Sequence, residues 1–297
     1  MWQALAAMPA MLASVGVVLV LLGWAGRWEP LGMLLWLLVG LGTLTRPGER
    51  VAVRLACGFR RLSAADDALL APVWREVCLR CGVSPGSVDL YAQRSRAINA
   101  YTVGSRSIAV TSRVVASYRA GTITTDMLRG IVAHELGHHV TRGTRLTLVT
   151  LWLAAPWRVF YRAMVAMCAR LTGPQPVGLL LVVVGAVFGI AIGQGVQAGQ
   201  WSAVAVLCAL VLFSAITPLV DAAISRAGER AADSFAARVG LGPELALALA
   251  VLGAGHRRRG LAWLVERHPH VQRRVEDLKA RVESGTTQQQ ARGLLAA

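Results

Sequence analysis

Lysine is almost absent from this chain. Lys279 is the only one, so nearly all of the 31 basic residues are arginine, set against 16 acidic ones for a net charge of +15. Cysteine is scarce too: Cys57, Cys78, Cys81, Cys168 and Cys208 make an odd count, which argues against a disulfide framework. Cys78 and Cys81 form a C-x-x-C with no second pair to complete a four-thiolate zinc site, so they read as two small thiols packed on one helix turn. No charged residue precedes Arg27, so the first apolar block lacks the basic start of a signal peptide and is read as an anchor. No internal repeat of fixed period is visible.

Apolar residues are abundant, at 55% of the chain, and they lie in blocks at 10–25, 31–44, 147–168, 177–193 and 201–220. A membrane span needs about 20 residues, which the first two blocks approach with their neutral flanks. A strongly basic chain can bind nucleic acid. Here the arginines crowd beside the apolar blocks, where they set topology and attract anionic lipid, so a lipid bilayer is expected as partner and nucleic acid is not. Arg46, Arg50, Arg54, Arg60 and Arg61 after the first pair of blocks should stay in the cytoplasm. Arg158, Arg162 and Arg170 before the second pair, and Arg226 and Arg230 after it, give that pair the same orientation. The block at 147–168, interrupted by Pro156, Arg158 and Arg162, reads as a helix lying on the membrane surface.

The remaining sequence is patterned like one catalytic domain. A helix is predicted over 63–82, capped by Ser63, and short strands at 87–92, 98–103 and 107–111 suggest a small antiparallel sheet. Thr125 or Asp126 should cap the next helix, and further helices fit 221–239, 243–254, 258–266 and 270–283. The expected segments are an N-terminal hairpin (1–45), a first catalytic part (46–146), a membrane-proximal helix (147–172), a second hairpin (173–220), a second catalytic part (221–283) and a disordered Gln/Thr-rich tail (284–297).

The sharpest signal is His134-Glu135-Leu136-Gly137-His138 on a predicted helix. A spacing of four puts both imidazoles on one face, about 40° apart, where one Zn²⁺ can bridge them. Glu135 lies about 100° round from His134, beside the metal rather than on it, where a general base belongs. Gly137 is expected to keep the neighbouring surface open, and His139 to face away as a structural histidine. A catalytic zinc keeps three protein ligands, and Glu229-Arg-Ala-Ala-Asp233 supplies a third. Glu229 would bind the metal, and Asp233, one turn on, would accept a hydrogen bond from a ligand histidine and fix its tautomer. Both motifs must lie on one side of a membrane, so an even number of spans must separate His138 from Glu229. The blocks at 177–193 and 201–220 provide two.

The ordered set Asn99-Ala100-Tyr101, Ser107–Thr111, the H-E-x-x-H helix, Glu229-Arg-Ala-Ala-Asp233, His268-Pro269 and Arg274-Val275 resembles the HtpX-like membrane gluzincins, relatives of the CAAX prenyl proteases, over roughly residues 60–283. The resemblance implies a zinc-dependent endopeptidase acting on misfolded or regulatory membrane proteins. It implies that Ser107–Thr111 is an edge strand for extended substrate, so Asn99, Ala100, Ser107, Ile108, Ala109 and Val110 become substrate-strand candidates. It also brings His268 near the metal, with three roles open: oxyanion donor, resting-state ligand or helix cap. Arg273 or Arg274 would orient that segment through a carboxylate. Arg267 and His270 depart from the residues usual beside such a histidine.

The expected molecule is a mainly α membrane protein: four transmembrane helices and a zincin-like α+β metalloprotease domain, with a small antiparallel sheet and active-site helices. It would hold one Zn²⁺, use Glu135 as the base in peptide hydrolysis, and face the cytoplasm from the bacterial cytoplasmic membrane. Substrates would be membrane or membrane-proximal proteins, and the oligomeric state stays open. The competing expectation is a membrane scaffold clipped by a structural zinc.

Overall fold

The computed structural model describes residues 2–141, 143–172, 176–252 and 271–281. In chain order, helix α1 (Trp2–Leu22) and a 3₁₀ turn (Gly23–Trp28) lead into α2 (Glu29–Gly42) and α3 (Arg46–Cys57). Strand β1 (Phe59–Arg61), helix α4 (Ala64–Arg80), strands β2 (Asp89–Gln93), β3 (Ala100–Val103) and β4 (Ser107–Thr111), and helices α5 (Ser112–Arg119) and α6 (Thr125–Val140) follow. The rest is helical: α7 (Thr147–Thr172), α8 (Pro176–Gln197), α9 (Trp201–Arg238), α10 (Gly242–Leu252) and α11 (271–281).

These elements form two compact units, Met1–Gly40 with Val149–Asp221, and Leu41–Leu148 with Ala222–Ala297. The first is helical and rich in exposed apolar side chains, among them Val20, Leu21, Trp24, Leu34, Leu35, Phe160 and Val187. Its α1–α2 connection turns at Gly26, whose φ of +55° is left-handed backbone suited to glycine. The Ser14 hydroxyl accepts from the Trp157 N–H at 3.1 Å, and the Trp152 indole donates to the Trp36 carbonyl at 2.9 Å, fastening α7 to α1 and α2. The block at 147–168, expected as a helix, lies within α7, one helix of 26 residues that carries Pro156 in its interior. Among the described residues no single helix is long and apolar enough to cross a membrane, and one bent pair, Gly26–Gly42 with Arg46–Cys57, reaches that threshold only together.

In the second unit the sheet order is β1-β2-β4-β3. The expected all-antiparallel sheet is corrected here: β2 and β4 run parallel, Leu90 opposite Ile108, while β1–β2 and β3–β4 are antiparallel. The reason lies in β4, whose five residues are all buried and therefore take the centre, leaving half-exposed β3 at the edge. The three residues of β1 sit within the arginine cluster and carry too short a pattern to read from sequence. The fold also adds α3 and α5 to the expected helices.

The helix ends follow ordinary capping chemistry. The Ser63 hydroxyl accepts from Asp66 N–H at the start of α4, and Thr124, one residue ahead of the expected cap, accepts from Met127 N–H at the start of α6. Leu128, Val132, Ala133 and Leu136 of α6 pack with Val77, Cys78, Ile108, Val110 and Leu245 in the main core. Gly130 makes this possible: a Cβ there would stand 2.3 Å from the Leu245 backbone nitrogen of α10. The turn between β3 and β4 is fastened by Glu49 of α3, whose buried carboxylate accepts from Ser105 N–H, Arg106 N–H and the hydroxyls of Ser105 and Ser107. Gly104 opens that turn at φ +73°.

Candidate metal centre

Helix α6 and the last four turns of α9 meet within the second unit and carry the centre between them. Gly137 sets their separation. A Cβ at residue 137 would stand 2.9 Å from Ala232 Cα and 3.0 Å from its carbonyl oxygen, so glycine lets the two backbones touch. The expected role of Gly137, leaving open surface, is replaced by this close approach.

With the helices this near, one ligand atom each from His134, His138 and Glu229 lies within 4.8 Å of the others. His134 Nε2 is 3.4 Å from Glu229 Oε2 and His138 Nε2 is 3.6 Å from Glu229 Oε1. Ligands about 2.0–2.2 Å from a tetrahedral zinc stand about 3.4 Å from one another, so the three residues present fit that ion. Two imidazoles and one carboxylate, with a fourth position left to water or substrate, is the donor set of a catalytic zinc.

Supporting groups surround the ligands. Asp233 Oδ1 lies 2.9 Å from His134 Nδ1, the expected contact, and leaves His134 Nε2 to the metal. Arg274 of α11 holds both carboxylates, with Nε and Nη2 on Asp233 at 2.8 and 2.7 Å and Nη1 on Glu229 at 3.0 Å. Between the two arginines considered from sequence, Arg274 is thus the one engaged. Burial alone would lower the His134 pKa, but its hydrogen bonds to Asp233 and Glu229 prevail and raise it to about 9. Burial would raise the Asp233 carboxyl, yet His134 and Arg274 hold it below the usual carboxylate range. His139 points elsewhere, to the Ser105 backbone, and burial lowers its pKa.

Glu135 is buried beside the ligands and does not belong to the donor triad. Its carboxylate Oε2 accepts from the Thr102 hydroxyl of β3 at 2.7 Å. Thr102 was not legible as a site residue: only the pairing of the sheet shows which face of β3 turns to α6.

The substrate-strand expectation is corrected in part. Ser107, Ile108, Ala109 and Val110 lie in β4, which is paired on both sides by β2 and β3 and offers no free edge to a peptide. Of the two edge strands, β1 and β3, it is β3 that contains Ala100; Asn99 precedes it and accepts the Ala100 N–H on its own side chain at 2.9 Å. His268 and the helix expected over 258–266 lie outside the described residues. Cys78 and Cys81 pack in and against the main core, and burial pushes their thiols up to about 12 and about 11. Both are unreactive packed thiols at neutral pH.

The family comparison agrees with this geometry. Residues 70–282 match the model of peptidase family M48, which spans both halves of the centre. No match was found among curated proteins. The chain belongs to peptidase family M48, a family of zinc metallopeptidases that hydrolyse peptide bonds.

Proposed function

We propose that this M48 peptidase is a zinc-dependent endopeptidase of the bacterial cytoplasmic membrane, cutting membrane or membrane-proximal proteins on the cytoplasmic side. The observation that carries the reading is the convergence of His134, His138 and Glu229 with Glu135 buried beside them but outside the donor set.

Bound at those three donors, zinc supplies Lewis acidity. The protein groups do the rest. Asp233 and Arg274 hold His134 and Glu229 in place, so the donors need no rearrangement. Glu135 takes a proton from the attacking water and delivers it to the leaving amine. The outer edge of β3 offers main-chain donors and acceptors to an extended peptide, beside α6.

The membrane setting draws on different support. Residues of α1, the 3₁₀ turn and α2 expose apolar side chains on many sides, with Trp24 at 94% and Val20 at 72%. Helices apolar all round are usually covered by lipid or protein. The apolar blocks at 177–193 and 201–220 fall within α8 and the first half of α9, between the two metal motifs, with arginines at both outer flanks. That arrangement favours a hairpin whose ends share the cytoplasm. A structural clip is the less favoured reading, because closed structural zinc sites take four protein ligands.

The test uses full-length protein in detergent or liposomes, loaded with zinc. Wild type should cleave an unfolded protein substrate, and Glu135→Gln should keep one zinc per chain while losing cleavage. Cleavage persisting in Glu135→Gln, or wild type that takes up no stoichiometric metal, refutes the proposal.

A further inference from the structure

We propose that Thr102 is a positioning residue that ties the general base to the strand on which substrate is laid. The inference rests on the reading of Glu135 as base and concerns how that base is aimed.

Strand alternation sends Ala100 and Thr102 to one face of β3, and Tyr101 and Val103 to the other. Ala100 joins the main core with Leu128, Val132 and Leu136 of α6, while Tyr101 and Val103 pack in the second cluster with Phe59 and Tyr91. Thr102 therefore faces α6. Its hydroxyl lies 2.7 Å from Glu135 Oε2 and 2.9 Å from the Glu135 carbonyl. A hydroxyl has one proton to give. The carboxylate is the nearer and the charged acceptor, so the bond goes there. It occupies Oε2 and leaves Oε1 to handle the reacting proton.

This bond joins two parts that have to be in register. The edge of β3 is unpaired among the described residues, and the β3–β4 turn is fixed by the four donors that Glu49 accepts. A peptide paired along β3 is thus set at a fixed height relative to Thr102. Through one hydroxyl, Glu135 is set at that height too. Displacements of about 1 Å at a reacting group cost on the order of a hundredfold in rate, so such a link is worth holding.

The test compares zinc-loaded wild type, Thr102→Val and Thr102→Ser at full length. Valine keeps the shape and removes the donor; serine keeps the donor. Thr102→Val should retain one zinc per chain and an unchanged KM, with kcat down about tenfold to a hundredfold. Thr102→Ser should recover most of kcat. A second readout needs no turnover: the infrared carboxylate band assigned to Glu135, by difference against Glu135→Gln, should shift in Thr102→Val and return in Thr102→Ser. Wild-type kcat in Thr102→Val, loss of zinc from it, no recovery with serine, or an unmoved Glu135 band would each overturn the proposal. Wild type that carries zinc and cleaves nothing would defeat the endopeptidase reading instead, and the infrared comparison would still decide Thr102.

Discussion

Gly137 of α6 stands directly against Ala232 of α9, so near that a Cβ on residue 137 would come within 2.9 Å of the Ala232 Cα. The contact lies between the two histidine ligands on one helix and the Glu229–Asp233 turn on the other. Helix separation and metal geometry are therefore one quantity. Gly137→Ala should push the helices apart, costing about 1–3 kcal/mol of stability and more than tenfold in zinc affinity. Thermal unfolding with and without chelator, together with a competitive zinc titration, measures both. Gly130→Ala serves as the comparison: its clash is with α10, so it should lower stability without a matching loss of zinc affinity.

Asp233 supports the centre without being a ligand. It accepts from His134 at 2.9 Å and from Arg274 at 2.7 and 2.8 Å. Asp233→Asn removes a buried charge that both partners use. Zinc affinity should fall about 10–100-fold, with cleavage restored in part by excess metal. Activity measured across a zinc series distinguishes this from a fold defect, which excess metal would not repair.

A pH effect is expected at Asp89, remote from the metal. Arg50 donates to Asp89 at 2.8 and 3.1 Å, and Arg46 at 3.2 Å. The Arg50 hydrogen bond is the main reason its carboxyl is held below the usual range, with burial opposing. The folded state thus prefers the charged carboxylate. The stabilisation is fully present above the unfolded carboxyl pKa of about 3.9 and is lost as pH falls through the lower folded value. Both arginine side chains are more than 40% exposed, so solvent trims the effect to about 1 kcal/mol. Urea unfolding of wild type and Asp89→Asn should show a constant gap between pH 5 and 7 that closes below about 4.

Glu49 binds the β3–β4 turn through four donors, two of them backbone N–H groups. Glu49→Gln turns an amide NH₂ toward one of the two backbone N–H donors, so that part-buried N–H loses its acceptor. Stability should drop by about 3 kcal/mol, read from the denaturant midpoint at constant slope. Because this turn carries β3, the same variant should also lower kcat.

Much of the centre could be read from the chain order. His134, Glu135 and His138 are fixed relative to one another by helix geometry alone, since a spacing of four can only place two side chains on one face. Glu229 and Asp233 follow the same local rule. The Ser63 cap, helices α4 and α6 and the strand segments near 87–111 were legible for similar reasons: each depends on a few neighbouring residues.

What the sequence could not contain was pairing between distant segments. That β4 lies in the middle of the sheet and β3 at its edge depends on which strand is buried on both faces, and five short residues carry no such label. Thr102 meets Glu135, Arg274 clasps Asp233 and Gly137 admits Ala232 only because separate segments pack together. Local hydrogen bonding and periodicity determined the elements and the ligand spacing from sequence; close packing of remote side chains, which no local pattern encodes, decided how those elements meet.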